Sequence, residues 1–423
     1  MRARLLCIIT VTLASLGSAS SSFGLDSNWT ISGQVRPRFE YRNGYRNLPV
    51  PNSEPAVFVS QRTRLGVSYR AEPRARFTIV VQDVRTWGDE LSTADASADN
   101  IDVHIANVEL TPRESITIQV GRQQYSYDED RILGPTDWRQ HGRVHDAIRL
   151  KLHSGHTDVH VAVSHHEQGE PTSSASYFNT DNYEDMLLLW GSTQSGGLLA
   201  SALALYDSYD RTYRILIQDR WTLGGRLELK GVPFSGRVEG YYQFGRHKTF
   251  TQQGYGDWTR IQRDLGAYLA ALSLTLASER RSFTLWYDYL SGDKDANDGD
   301  YGVFDVPYGS NHKSYGWADL FIRMPEDTKD HGLQDLAAKS QFREVGPLTI
   351  DCHLHYFALS QDDDKEERGL GFEADVMATA AIMPNVKLQA GYSLVLPSDA
   401  LKRLKGASDD GHWFWTMLDF NVK

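Results

Sequence analysis

The stretch NWTISGQVRPRFEYR, residues 28–42, alternates without interruption. Trp29, Ile31, Gly33, Val35, Pro37, Phe39 and Tyr41 fall on one side, and Thr30, Ser32, Gln34, Arg36, Arg38, Glu40 and Arg42 on the other. Successive side chains of a strand point to opposite faces, so this segment has one apolar, aromatic-tipped face and one strongly charged face. A soluble sandwich would turn the polar face to bulk water. An outer-membrane barrel would turn the apolar face to lipid and keep the charged face in a wet lumen.

The surrounding chain favours the second architecture. Met1–Arg4 carry two arginines, residues 5–16 are nearly all apolar, and residues 17–24 are mostly small. That is the pattern of a secretory signal peptide over residues 1–24. An apolar run of about 12 residues is too short for a membrane-spanning helix, which needs roughly 18. With the leader removed only Cys352 remains, which excludes an intrachain disulfide and a cysteine-based metal site. Residues 25–423 show no Pro-rich or Ser-rich linker and no amphipathic helical run, which predicts one continuous architecture. Any membrane crossing must then be made by strands. A mean hydropathy of -0.45 suits alternating strands, whose polar faces offset an apolar belt.

The alternation recurs. Leu65, Val67 and Tyr69 oppose Arg62, Arg64 and Arg70, and residues 220–230 and 237–244 repeat the pattern. Noisier strands are predicted near 75–86, 101–111, 115–125, 147–153, 157–166, 185–191, 198–207, 211–218, 264–276, 282–290, 335–343, 348–360, 370–382, 386–396 and 412–422. The expected fold is all-β, a single transmembrane antiparallel barrel with a polar, arginine-rich lumen. An arginine facing lipid at the bilayer midplane costs about 2–4 kcal/mol, so Arg36, Arg38, Arg62 and Arg64 must face inward. The formal net charge of -11 does not oppose a basic lumen, because the acids cluster in segments read as loops, such as 293–300, 362–367 and 409–410.

Longer motifs are more specific. They include Gln82-Asp83-Val84-Arg85 with Trp87-Gly88, and Gly121-Arg122-Gln123. Next come Asp130-Arg131-Ile132-Leu133-Gly134, Asp137-Trp138-Arg139 and Gly142-Arg143-Val144-His145-Asp146-Ala147-Ile148-Arg149. Further on lie YDYLSGD at 287–293, NHKSYGWADLF at 311–321, His355-Tyr356-Phe357 and Gln389-Ala390-Gly391-Tyr392. Through essentially the whole mature chain these resemble the alginate-export family of bacterial outer-membrane barrels. The resemblance implies a monomer of about 18 strands, set in outer-membrane lipid, whose constriction passes an anionic polysaccharide or oligosaccharide. It implies Arg85, Arg122, Arg131, Arg139, Arg143 and Arg149 as lumen cations, with Asp83, Asp130 and Asp146 as their counter-charges. The last strand alternates through Phe414, Leu418 and Phe420 but ends on Lys423, a departure from the aromatic terminus that the barrel-assembly machinery reads.

Each feature has a plainer reading. The arginines can pair with acids and hold the barrel's shape, and Glu40, Glu228 and Glu239 are placed to weaken retention of a polymer. His312 and Lys313, with Tyr315 and Trp317, form either a sugar-facing cluster or packing within a loop. The acidic segment 293–300 departs from a calcium loop where glycine and a closing glutamate are required, so a solvated turn is preferred. His353 and His355 share a strand face, but two ligands do not make a metal site. With no G-x-S-x-G, H-E-x-x-H or C-x-x-C motif, no enzyme, cofactor or nucleic-acid partner is expected. A nutrient porin for oligosaccharides or small anions is the nearest alternative. A plugged adhesion barrel is disfavoured, because the inner faces read as polar rather than as apolar bulk.

Overall fold

Two-residue turns leave a strand no partner but its neighbour, in antiparallel register. Such turns join β2 (Ala56–Glu72) to β3 (Ala75–Thr86), β4 (Ile101–Arg113) to β5 (Ile116–Gln123), and β6 (His145–Ser154) to β7 (Thr157–His165). They also join β8 (Asp185–Ser195) to β9 (Leu198–Ser208). In this computed structural model the described residues are 28–422 apart from 95–99, 168, 171, 173–181, 210–215, 253–257, 296 and 297. The signal peptide read in residues 1–24 and the terminal Lys423 lie outside them.

The wall continues through β10 (Leu216–Leu229), β11 (Phe234–Gln252), β12 (Trp258–Ala277) and β13 (Arg281–Leu290). After a two-residue strand, β14 (Asp300–Tyr301), come β15 (Leu333–Val345), β16 (Leu348–Ala358), β17 (Gly369–Met383), β18 (Val386–Pro397) and β19 (Gly411–Val422). β14 lies parallel to β12 beside the wall. The other eighteen strands form a closed antiparallel barrel, because β1 (Trp29–Asn43) pairs with β2 on one side and with β19 on the other. Closure removes every edge, the condition for placing backbone polar groups in hydrocarbon.

Burial is inverted relative to a soluble protein. On β1 and β2, Ile31 and Leu65 are 48% and 54% exposed, whereas Arg36 and Arg62 are 4% and 1% exposed. The apolar face is the outer one. Aromatics edge the belt at the short-turn end (Trp29, Phe77, Phe283) and at the long-loop end (Tyr242, Tyr356, Tyr392). In bacterial barrels the short-turn end faces the periplasm.

Two expectations need correction. Residues 216–218, read as the end of a separate strand at 211–218, open β10, the strand read at 220–230, and 211–215 lie outside the described residues. The lumen is also not polar throughout. Leu188, Leu203, Leu205, Leu265 and Leu269 face inward from β8, β9 and β12 and pack against Leu133, Phe304, Tyr308 and Phe321 from two long loops. The loops must bury apolar surface somewhere, and this wall supplies it.

Candidate functional site

Residues 124–144, between β5 and β6, leave the wall and cross the lumen. At the crossing, Asp128, Glu129 and Asp130 all have φ between +49° and +71°. Left-handed backbone at non-glycine residues costs roughly 1–3 kcal/mol each and persists only where surroundings over-determine it. Those surroundings are ionic. Glu129 accepts from Arg226 (2.9 Å) and Arg237 (2.6 Å) on β10 and β11. Arg131 grips Asp288 on β13 with two bonds of 2.7 and 3.1 Å, reaches Glu239 at 3.1 Å, and donates to the Tyr315 hydroxyl at 3.1 Å. Trp190 on β8 donates to Asp128 at 3.0 Å.

The far end of the same loop is held by the arginines of β1 and β2. Arg36 donates to the Gln140 side chain (2.9 and 3.1 Å) and stands 3.5 Å from Asp137. Arg62 bonds Asp137 at 2.8 Å and the Gln140 carbonyl at 3.3 Å. Arg64 bonds the His141 carbonyl at 3.0 Å and lies 3.4 Å from Asp137. Arg38 donates to the Trp138 carbonyl at 2.8 Å, lies 4.2 Å over its ring, and pairs with the fully buried Glu40 at 2.9 Å. The predicted inward row is therefore correct in direction, and three of its four members share the single carboxylate of Asp137. Asp137 and Gln140 were not among the residues expected to matter.

A second loop, 291–332 between β13 and β15, locks onto the first. Gly134 donates its amide to the Tyr308 carbonyl (2.8 Å) and Ser310 donates to the Asp130 carbonyl (2.9 Å). A Cβ on Gly134 would sit 2.4 Å from Asp130 and Ser310, so only glycine permits this approach. His312 stacks on Trp138 at 4.4 Å and bonds Asp319 at 2.7 Å. Lys313 pairs with Asp130 while remaining largely exposed. Arg220 on β10 binds Asp207 (2.7 and 3.0 Å) and Asp305 (2.8 Å), and Tyr308 donates to Asp207 at 2.9 Å. Tyr315 and Trp317 are buried, so the packing role holds for these aromatics. In the acidic segment, Asp293 turns to Arg263 (2.5 Å), and 296 and 297 lie outside the described residues.

Against this neutralised background, Arg139, Arg143 and Arg149 have no carboxylate partner among the described residues. Arg139 is exposed and, among the described residues, makes no side-chain hydrogen bond. Arg143 donates only to the Gly309 carbonyl at 3.1 Å. Its burial, with Arg139 nearby, lowers its pKa to about 10, which still leaves it charged at neutral pH. Arg149 bonds two neutral groups, Gln119 (2.6 Å) and the Tyr127 hydroxyl (3.1 Å). Gln119 also lines a cavity of about 470 Å³ at the short-turn end, together with Arg70, Arg76, Glu109 and Gln124.

Four expected lumen residues are not in the lumen. Asp83 and Arg85 stand opposite Thr63 and Gln61, on the same face as Val81 and Leu65, and they pair with one another outside the barrel near the long-loop rim. Arg122 and Asp146 lie two residues beyond the outward Val120 and Ile148 and bond each other at 2.9 and 3.0 Å. The outer face ceases to be apolar above the lipid belt, so charge no longer marks the lumen there. Counting by twos from Ile79 or Val120 would have placed them correctly. Arg85→Ala with Arg122→Ala should consequently leave conductance and ion selectivity unchanged in a planar bilayer, whereas a shift in selectivity would return them to the pore.

Burial alone would raise the Asp137 carboxyl, but Arg62, Arg36 and Arg64 outweigh it and hold the group below the usual carboxylate range. A depressed carboxyl contributes stability that is complete above its unfolded value of about 3.9 and is lost as pH falls through the lower folded value. The loop should stay docked from neutral pH down to about 4 and loosen below that, read as rising conductance in a pH series. In Asp137→Asn that rise should vanish.

A closed barrel with an apolar outer belt, crossed inside by charged loops, defines a bacterial outer-membrane β-barrel of the channel-forming class. The family model for alginate export matches residues 28–414, nearly the whole chain, and the protein belongs to the alginate-export family. OccAB1 of Acinetobacter baumannii is similar in structure: TM-score 0.63 at 13% identity over 94% of this chain and 97% of that one. OprD of Pseudomonas aeruginosa gives 0.60 at 12% identity, covering 94% of each chain. A BenF-like porin from Pseudomonas fluorescens gives 0.61 at 8% identity over 94% and 99%. At such identities the likeness is one of fold. Comparison with curated proteins gives no match.

Proposed function

We propose that this barrel is a passive conduit for a carboxylate-bearing saccharide, an alginate-like polyuronate, which it passes without chemical change. The observation that carries this reading is the series of cations without acid partners among the described residues: Arg70 and Arg149 toward the short-turn cavity, then Arg143 and Arg139 on the crossing loop. Guanidinium groups meet carboxylates in a matched two-point geometry, and several modest sites in a row bind without trapping. The family membership supports the same substrate class.

The interlocked loops favour a second reading, a porin admitting single oligosaccharides or small carboxylates, because the passage has to skirt two ion-paired crossings. Single-channel current with added polymannuronate, polyguluronate and size-matched neutral dextran separates the two. Block by either uronate polymer but not by dextran is the expected result. Current indifferent to all three polymers yet reduced by free uronate would favour the small-anion porin. Block should also weaken from 0.15 M to 1 M salt, where the screening length falls from about 8 to about 3 Å. Salt-independent block would mean that steric fit, not charge, retains the polymer.

A further inference from the structure

On the lumen face of β16 and β17, four ligand-type side chains form a square: His353 stands opposite Asp375, and His355 opposite Glu373. One donor atom from each of His353, His355 and Asp375 lies within 4.8 Å of the others. His355 and Asp375 are 1% and 4% exposed, and Glu373 is fully buried. Among the described residues two ring nitrogens here have no hydrogen-bond partner, His353 Nδ1 and His355 Nε2. Buried polar atoms are almost always hydrogen-bonded, so two unpaired ring nitrogens in one patch require an explanation.

The carboxylate behind His355 points to a cation. Asp335 on β15 holds the other ring nitrogen of His355 at 2.9 and 3.0 Å, which fixes the tautomer that leaves the Nε2 lone pair free. A carboxylate behind a ligating histidine is the recurrent support of zinc-type sites. The Nε2 atom lies 4.0 Å from Asp375 Oδ2. Ligands about 2.0–2.2 Å from a common ion are within reach of that separation after a small inward shift. Among the described residues, no arginine or lysine pairs with Glu373 or Asp375.

We infer that His353, His355 and Asp375, beside Glu373, form a site for a divalent transition metal of the zinc type, which clamps the 291–332 loop to the barrel wall. Two imidazoles and one carboxylate are a nitrogen and oxygen donor set suited to zinc, with the neighbouring Glu373 or a water left to complete four-coordination. The loop is already seated on the same carboxylates. Ala318 donates its amide to Glu373 at 2.8 Å, Trp317 donates to Asp375 at 3.5 Å, and the Trp317 ring lies 4.5 Å from His353. Gly316, at φ +78°, leaves no room for a Cβ, which would fall 2.6 Å from the Glu373 carboxylate. Metal occupancy therefore fixes the charge and orientation of the groups that hold the constriction in place.

The test uses tag-free, full-length protein in detergent, stripped with chelator and titrated with Zn2+ and with Co2+. The expected result is one ion per barrel by elemental analysis, with the strong visible absorption of four-coordinate Co2+. His353→Ala and His355→Ala should abolish it, and Asp335→Asn, which leaves His353, His355 and Asp375 in place, should weaken affinity about 10–100-fold. Heat-modifiable gel migration reports folding of each variant. Should a histidine variant fail to fold, the wild-type stoichiometry and the Asp335→Asn titration decide the matter. No binding by the wild type, or binding unchanged in the histidine variants, would overturn the site and leave a His355 bridge between Asp335 and Asp375 in its place.

Discussion

Arg131→Ala should unseat the constriction while leaving the barrel wall intact. Arg131 and Asp288 are both buried, and Asp288 makes no other ion pair among the described residues. Removing one partner of a buried pair typically costs about 3–5 kcal/mol, because the remaining charge is left without compensation. That penalty adds to the cost of the three left-handed residues immediately before it. The cheapest response is for the loop to leave its seat, so single-channel conductance should rise several-fold with increased open-state noise. Cells carrying the variant should become more permeable to bulky hydrophilic antibiotics. Replacing both partners, Arg131→Met with Asp288→Leu, should recover much of the wild-type conductance, because no orphaned charge remains. Unchanged conductance in Arg131→Ala would show that Glu129 and Asp137 seat the loop without it.

Arg139→Glu with Arg143→Glu should reverse ion selectivity. A unit charge about 6 Å from a permeating ion contributes roughly 0.7 kcal/mol in bulk water and nearer 3 kcal/mol where the effective dielectric constant is about 20. Since 1.4 kcal/mol is a factor of ten, exchanging two unpaired cations for two anions should lower the anion-to-cation permeability ratio at least tenfold and abolish polyuronate block. The reversal potential in a salt gradient measures this directly. Arg36, Arg38, Arg62 and Arg64 are a poorer target, because each already directs its charge to Asp137, Glu40 or a loop carbonyl. A selectivity insensitive to residues 139 and 143 would move the anion path to Arg70 and Arg149.

Alternation in residues 28–42 and 57–70 placed Arg36, Arg38, Arg62 and Arg64 on the lumen side, and the structure agrees. The family resemblance, applied to motif residues without checking their parity along the strand, put Asp83, Arg85, Arg122 and Asp146 inside when they are outside. The apolar lining contributed by β8, β9 and β12 was also misread, since leucine on an inner face looks like noise until a loop is known to cover it. His353 and His355 were visible as a pair. Asp375 and Glu373 were not, because register alone brings β17 opposite β16.

A period of two, an apolar face and a chain without a membrane-length helix were enough to determine a membrane barrel and, through its long motifs, its family. Those are local properties, written in neighbouring residues. Which arginines are free to meet an anion is not local. Asp137 reaches Arg36 across 101 residues, and Asp288 reaches Arg131 across 157. Only the folded loops decide which guanidinium groups are neutralised, because a charge is cancelled by whatever lies within a few ångströms in space and not by its neighbours in the chain.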